Sequence, residues 1–173
     1  MNEVIKNIKT RVSVKKFNSK PVEKALIEAI VSAGLKAPSG KNMQAPIIVA
    51  VTDKKTRDAL SRANASILGI DKDPFYGAPA VLVVLARKDF FTHVYDGSLV
   101  MQNLMLAAHS LGVSSCWIHR ARETFELPEW REWLSNLGVE GEYEGIGNCV
   151  LGYPDGEIPE PKEVREGRIF WVE

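Results

Sequence analysis

The pattern of apolar and polar residues predicts a buried helix followed directly by a buried strand. Apolar residues occupy nearly every side of a helical wheel drawn for residues 96–111. Gly112 follows where a left-handed residue often ends a helix, and the β-branched and aromatic segment Val113–Ile118 is typical of a buried strand. A helix without a polar side must lie in a core or in a subunit interface. We therefore expect layers on both sides of this helix, or a second chain.

The rest of the chain alternates between helical and strand-like patterns. We predict helices over 3–9 with Asn2 as cap, over 22–33 with Pro21 in the first position, through about Ala63 with Asp53 as cap, and over 129–137, entered at Pro128. Strands are predicted over 47–51, 80–86 and 146–151. The breaker-rich stretches 37–46 and 66–79 are predicted to be connections. The apolar segment 168–172 resembles a strand that needs a pairing edge, for which a second chain is one candidate. This order predicts one domain, residues 1–173, with an α+β or mixed α/β layered fold of four or five strands.

The composition is typical of a soluble globular protein. Hydrophobic residues make up 45% of the chain, and Lys+Arg and Asp+Glu are equal at 22 each. This balance provides no bulk field for nucleic acid or an acidic membrane, and we expect neither as a partner. No apolar run approaches the roughly 20 residues of a membrane span, and the N-terminus does not resemble a secretory signal. We therefore predict a cytoplasmic protein in which Cys116 and Cys149 are reduced and buried.

Motifs for catalysis by the protein's own side chains are missing from the sequence. There is no GxGxxG after a strand, no P-loop, no HExxH and no GxSxG. Cys116 and His119 form a C-x-x-H pair, but two ligands do not make a zinc site. We therefore predict no metal site.

Three stretches have the residue types of a binding site. If residues 11–15 are extended, Arg11, Ser13 and Lys15 lie on one side and suit a phosphate group, although a solvated polar edge explains the same pattern. The loop 38–44 carries short amides suited to the edge of a planar heterocycle, or is an ordinary connection. Lys162 and Arg165 either add cations to the same anion or belong to a charged tail.

Taken in order, these stretches resemble the nitroreductase family of FMN-dependent oxidoreductases. The matching features are RxSxKxF from Arg11, a helix, APSGxNxQ and a strand, then DGSLVMQNLMLAAHSLGVSSCWI, LGYP and a basic tail. The resemblance covers the chain from Arg11 to the C-terminus. It implies a three-layer α+β fold with a central mixed or antiparallel sheet flanked by helices. It also implies a homodimer with the long helix at its interface, two FMN sites built from both chains, and a C-terminal segment that reaches over the partner.

The resemblance also implies which residues bind FMN. The Arg11–Lys15 segment would hold the phosphate and the ribityl chain, the 38–42 loop of the other chain would contact the isoalloxazine, and the backbone at 117–119 would approach the ring near N5. Lys162 would be a tail cation on the phosphate; Val164 stands where many relatives have a second cation, which leaves Arg165 as its substitute. The predicted set is Arg11, Val12, Ser13, Lys15, Pro38, Ser39, Gly40, Asn42, Trp117, Ile118, His119, Lys162 and Arg165.

The implied reaction has two half-reactions at one site. NAD(P)H gives hydride to FMN and leaves, and a nitroaromatic, a quinone or a similar acceptor is then reduced, which is a ping-pong mechanism. Because FMN supplies this chemistry, no acid–base pair is needed in the protein. Lys15 stands where the family often has Arg, which keeps the charge but loses the bidentate geometry. The alternative function is a flavin-binding protein that stores or senses FMN without turnover.

Overall fold

A computed structural model describes residues 1–173 in full. The chain forms six α-helices, four β-strands and one short 3₁₀ turn at Gly40–Asn42. The helices are α1 (Glu3–Thr10), α2 (Lys24–Gly34), α3 (Lys54–Leu68), α4 (His93–Ser110), α5 (Ala121–Glu126) and α6 (Pro128–Asn136). The strands are β1 (Pro46–Val51), β2 (Ala80–Arg87), β3 (Ser114–Ile118) and β4 (Tyr143–Gly152).

The four strands form one antiparallel sheet in the order β1-β2-β4-β3. On one face, Leu82 and Val84 of β2 pack in a core with residues of α2 and α4. On the other face, Val81 and Val83 pack in a second core with residues of α3, α5 and α6. A strand covered on both faces needs apolar residues at every position, and this explains the continuous apolar run of β2. The three-layer α+β fold predicted from the sequence is confirmed.

Helix α4 crosses one face of the sheet and is covered on only one side by its own chain. Met101 and Leu104 are fully buried, whereas Leu99 is 45% exposed and Tyr95 is 72% exposed. Helix α1 lies beside α4, where the Asn7 side-chain amide donates to Leu106 O at 3.0 Å. The apolar side chains of α1 are also exposed. Together α1 and α4 present an apolar surface that no other part of the chain covers.

An ion pair organises the long connection between α3 and β2. Asp73 accepts hydrogen bonds from Arg57 Nη2 at 2.6 Å, from the N–H of Phe75 at 2.9 Å and from the N–H of Gly77 at 2.8 Å. Arg57 also donates to Ala78 O from Nε at 2.8 Å. The sequence predicted only a connection here. In the structure the buried guanidinium of Arg57 holds this connection against α3.

Several predicted boundaries were wrong. Helix α2 begins at Lys24, so Pro21 lies before it, and α3 continues to Leu68, where Gly69 ends it in the left-handed conformation. The short helix α5 had not been predicted, because its six residues give too little periodicity to recognise. The segment 168–172 forms no strand with its own chain, and its apolar side chains are exposed. Its pairing with a second chain stays a prediction.

None of the helices combines the length and the apolarity that crossing a bilayer requires.

Candidate functional site

The candidate site begins with an extended segment that runs beside the edge strand β3. The N–H of Val14 donates to Ser115 O at 3.1 Å, and Ser13 forms a parallel bridge with Ser115. Val14 is buried and anchors the segment in the core. Because side chains alternate in extended backbone, Arg11, Ser13 and Lys15 share the opposite side. The alternation seen in the sequence is thus realised in the structure.

The three polar side chains of this segment all influence the same group, the Cys116 thiol of β3. Burial raises the pKa of Cys116, while a hydrogen bond with Ser13 and the charges of Lys15 and Arg11 act in the opposite direction. All three groups therefore lie within electrostatic range of the same sulfur atom. We name Arg11, Ser13 and Lys15 the cation cluster.

The cation cluster has no anion of its own. Arg11 Nη1 is buried and has no hydrogen-bond partner, and the salt bridges of the chain include neither Arg11 nor Lys15. A buried donor without an acceptor costs about 1–3 kcal/mol, and more when it is charged. An anion with several acceptor oxygens would satisfy it, and a phosphate group fits this donor set.

His109 of α4 borders the same cluster. Its Nε2 lies 2.9 Å from Thr10 Oγ1, within hydrogen-bond distance. Burial and the charge of Arg11 both lower the pKa of His109. Both effects favour the neutral imidazole, which adds no second positive charge beside Arg11.

A second part of the candidate site is the loop that follows α2. Asp96, which is only 3% exposed, accepts from the N–H of Gly40 at 3.1 Å and from Thr92 Oγ1 at 2.9 Å. A Cβ at position 40 would lie 2.4 Å from Thr92 Oγ1, so only glycine allows this close approach. The loop is thereby fixed to the N-terminal end of α4.

The backbone of the same loop is held in an uncommon conformation. Lys41, Asn42 and Gln44 have φ values of 50°, 54° and 51°, and the N–H of Gln44 donates to Ser39 Oγ at 2.9 Å. Left-handed residues other than glycine persist only where surrounding contacts impose them, and they cluster at ligand sites. The loop presents its amides in a preformed arrangement.

The third part is the end of β3. Trp117 is half-buried, Ile118 is buried and His119 is exposed. The chain then turns at Arg120, which has a φ of 73°. The Asn64 side-chain amide of α3 donates to His119 O at 2.7 Å. Asn64 was not among the residues predicted from the sequence, where its only distinguishing signal is a chance Asn-x-Ser match.

One chain does not bring all predicted site residues together. The loop is fixed to Asp96 near the start of α4, whereas the cation cluster borders His109 near its end. With a rise of 1.5 Å per residue, these two positions are separated by about 20 Å along the helix. Lys162 and Arg165 are exposed, and residues 156–173 form no hydrogen bond with the rest of the chain.

The chain is a three-layer α+β domain in which a buried arginine nitrogen without a partner lies on a segment beside an edge strand. The profile described as the Nitroreductase family matches residues 8–70 and 66–153. The chain therefore belongs to the nitroreductase family, as the order of its motifs predicted.

Individual relatives agree with this assignment. The chain is 28% identical to a NADPH-flavin oxidoreductase of Vibrio harveyi, over 94% of this chain and 70% of the relative. It is 30% identical to an FMN reductase [NAD(P)H] of Bacillus subtilis, over 80% of this chain and 66% of the relative. A crystal structure of a nitroreductase with bound FMN from Bacteroides fragilis superposes with a TM-score of 0.91 at 30% identity, covering 100% of both chains.

Proposed function

We propose that residues 1–173 form one domain of a homodimeric, FMN-dependent NAD(P)H oxidoreductase. Its acceptor would be a nitroaromatic, a quinone or a similar compound, reduced by a ping-pong mechanism. The observation that carries this proposal is the buried and unpartnered Arg11 Nη1 beside Ser13 and Lys15. Relatives named as flavin and FMN reductases support the cofactor and the donor. The buried, unpaired cysteines suit the proposed cytoplasmic location.

The cation cluster would hold the phosphate and the ribityl chain. Arg11 and Ser13 would donate to phosphate oxygens, and the backbone of Val12 between them would fix their spacing. Lys15 would place a positive charge near the pyrimidine edge, where it favours the negative charge of the reduced state. FMN, when bound, supplies the hydride chemistry, and the protein's part is to bind, orient and tune it.

The ring would be contacted by backbone from two places. The end of β3, from Trp117 through Ile118 to His119, would lie near N5. The loop of the partner subunit, with its fixed amides, would contact the isoalloxazine through Pro38, Ser39, Gly40 and Asn42. The separation of about 20 Å between this loop and the cation cluster of one chain supports a site shared between two chains.

A homodimer would cover the apolar surface formed by α1 and α4. The two edges of the sheet are β1 and β3, and the segment around Ser13 already lies along β3. The edge at β1 would therefore be free to pair with the C-terminal segment of the partner subunit. We propose that residues 168–172 pair with β1 of the partner. Lys162 and Arg165 would then be carried toward the phosphate site.

A charge in the centre of this surface is expected to dissociate the dimer. Leu99→Asp would place a carboxylate in the interface, and the dimer dissociation constant should rise by at least about thirtyfold. Light scattering after size-exclusion chromatography measures the change. Leu137→Asp, at an exposed leucine at the end of α6, serves as the matched control. A Leu99→Asp protein that stays as dimeric as the Leu137→Asp protein contradicts this interface.

The function itself is tested with the purified protein. We expect flavin absorption bands that survive desalting after addition of excess FMN, and oxidation of NADH or NADPH with menadione or nitrofurazone as acceptor. Parallel lines in double-reciprocal plots are expected for the ping-pong mechanism. FMN-loaded protein that oxidises neither donor, even in rapid-mixing experiments, would instead support the flavin-storing alternative.

A further inference from the structure

A fully buried asparagine, Asn64, holds the turn that follows β3. Asn64 of α3 is completely buried, and its side chain reaches across to donate to His119 O at 2.7 Å. Ile118 is the last residue of β3 in the ladder with β4. The carbonyl of His119 therefore lies beyond the sheet, and Asn64 supplies a donor that the ladder does not provide.

Stability alone does not explain an asparagine at this position. Asn64 Oδ1 is buried and has no hydrogen-bond partner. A buried amide whose carbonyl oxygen accepts no hydrogen bond is unfavourable compared with an apolar side chain of similar size. We therefore attribute the presence of Asn64 to its hydrogen bond with His119 O, which fixes the position of that carbonyl group.

Other contacts also restrain the same turn. Arg120 has a φ of 73°, and its carbonyl accepts from Thr124 Oγ1 at 2.8 Å. Gly145 of β4 packs so closely that a Cβ there would lie 2.2 Å from Ala121 O. A turn with a left-handed arginine, restrained from α3, α5 and β4, is the arrangement expected where backbone position matters for a bound ligand.

We propose that Asn64 is a positioning residue that fixes the backbone of Trp117–His119 against the flavin ring. The proposal rests on the proposed function, in which this backbone faces the ring. Asn64 touches neither the cation cluster nor the loop of residues 38–44 through any hydrogen bond. Loss of the Asn64 side chain should therefore change the position of the flavin ring and leave the contacts of the cation cluster with the phosphate unchanged.

Asn64→Leu tests this proposal, with Asn103→Leu as the matched control. Asn103 is also a helical asparagine whose amide donates to a carbonyl of another element, Ala33 O at 3.3 Å. In Asn64→Leu we expect the rate of flavin reduction by NAD(P)H to fall at least about tenfold, with the Kd for FMN changed less than about threefold because the phosphate contacts persist. The midpoint potential and absorption bands of the bound flavin should also shift. Equal effects of the two variants on rate and potential would overturn the proposal.

A second measurement does not depend on the flavin. The N–H of Thr124 donates to Arg120 O at 3.0 Å and so reports on the position of this turn. Hydrogen exchange of the flavin-free protein should be faster at Thr124 in Asn64→Leu than in wild type, and unchanged there in Asn103→Leu. Unchanged exchange in Asn64→Leu would overturn the positioning role even if the protein never bound FMN. Failure of the wild-type protein to bind FMN would contradict the proposed function instead.

Asn64→Asp provides the test if the leucine variant does not fold. The introduced side chain has nearly the same shape, but its ionised carboxylate cannot donate to His119 O. Burial raises the pKa of such a carboxyl group, and its protonated form restores a donor. The difference from wild type in flavin-reduction rate should therefore shrink as the pH falls. A pH-independent difference would overturn the proposal.

Discussion

Replacing both Arg11 and Lys15 with alanine is expected to abolish retention of FMN through desalting. Hydrogen bonds to charged groups contribute about 1.5–3 kcal/mol each. The loss of two such contacts corresponds to a decrease in FMN affinity of about a hundredfold to ten-thousandfold. The fold should persist, since Arg11 Nη1 has no partner in the chain whose loss would destabilise it. The thermal unfolding temperature of the flavin-free protein is accordingly expected to stay the same or to rise.

Fluorescence titration with FMN measures this effect directly. The matched control replaces Lys24 and Arg62, two exposed cations, with alanine and makes the same change in net charge. If only the bulk charge mattered, both double variants would lose the same affinity. Full FMN affinity in the Arg11→Ala, Lys15→Ala protein would show that the phosphate binds elsewhere.

Asp73→Ala is expected to lower the free energy of unfolding by a large amount for a single substitution. It removes the carboxylate that pairs with the buried Arg57 and orders the connection from α3 to β2. Breaking a buried pair by removing one partner costs about 3–5 kcal/mol. Because the Asp73 side chain is 35% exposed, we expect about 2 kcal/mol, or a decrease in Tm of about 4–8 °C.

The same residue predicts how stability depends on pH. Burial raises the pKa of Asp73, but hydrogen bonds from Arg57, Ser61 and the backbone outweigh it and hold the pKa below its ordinary value of 3.8. A carboxyl group with a lowered pKa stabilises the fold above its unfolded-state pKa, and this contribution is lost as the pH falls through the folded-state pKa. Denaturant unfolding should thus show wild type and Asp73→Ala differing at pH 7 and converging below pH 4. Asp71→Ala, at a neighbouring exposed carboxylate, should match wild type throughout.

The fold was predictable where periodicity was long and uninterrupted. Asp53 caps α3 as predicted, with its side chain accepting from the N–H of Thr56 at 2.8 Å, and Pro128 begins α6. The apolar run at the centre of the chain gave α4 and β3 within a few residues. The connection around Asp73 was not predictable, because its order comes from Arg57, sixteen residues earlier in sequence.

The layers of the fold, the family and the grouping of Arg11, Ser13 and Lys15 could be predicted from the sequence alone. The layers and the grouping follow from local rules, because side chains alternate in extended backbone and buried elements need apolar residues. The family follows from the resemblance of the ordered motifs. Only the tertiary structure decided that Asp96 holds the loop at Gly40 and that Asn64 holds His119 O. Both contacts join residues more than fifty positions apart. Such contacts depend on how helices pack on the sheet, and a local sequence pattern does not predict that packing.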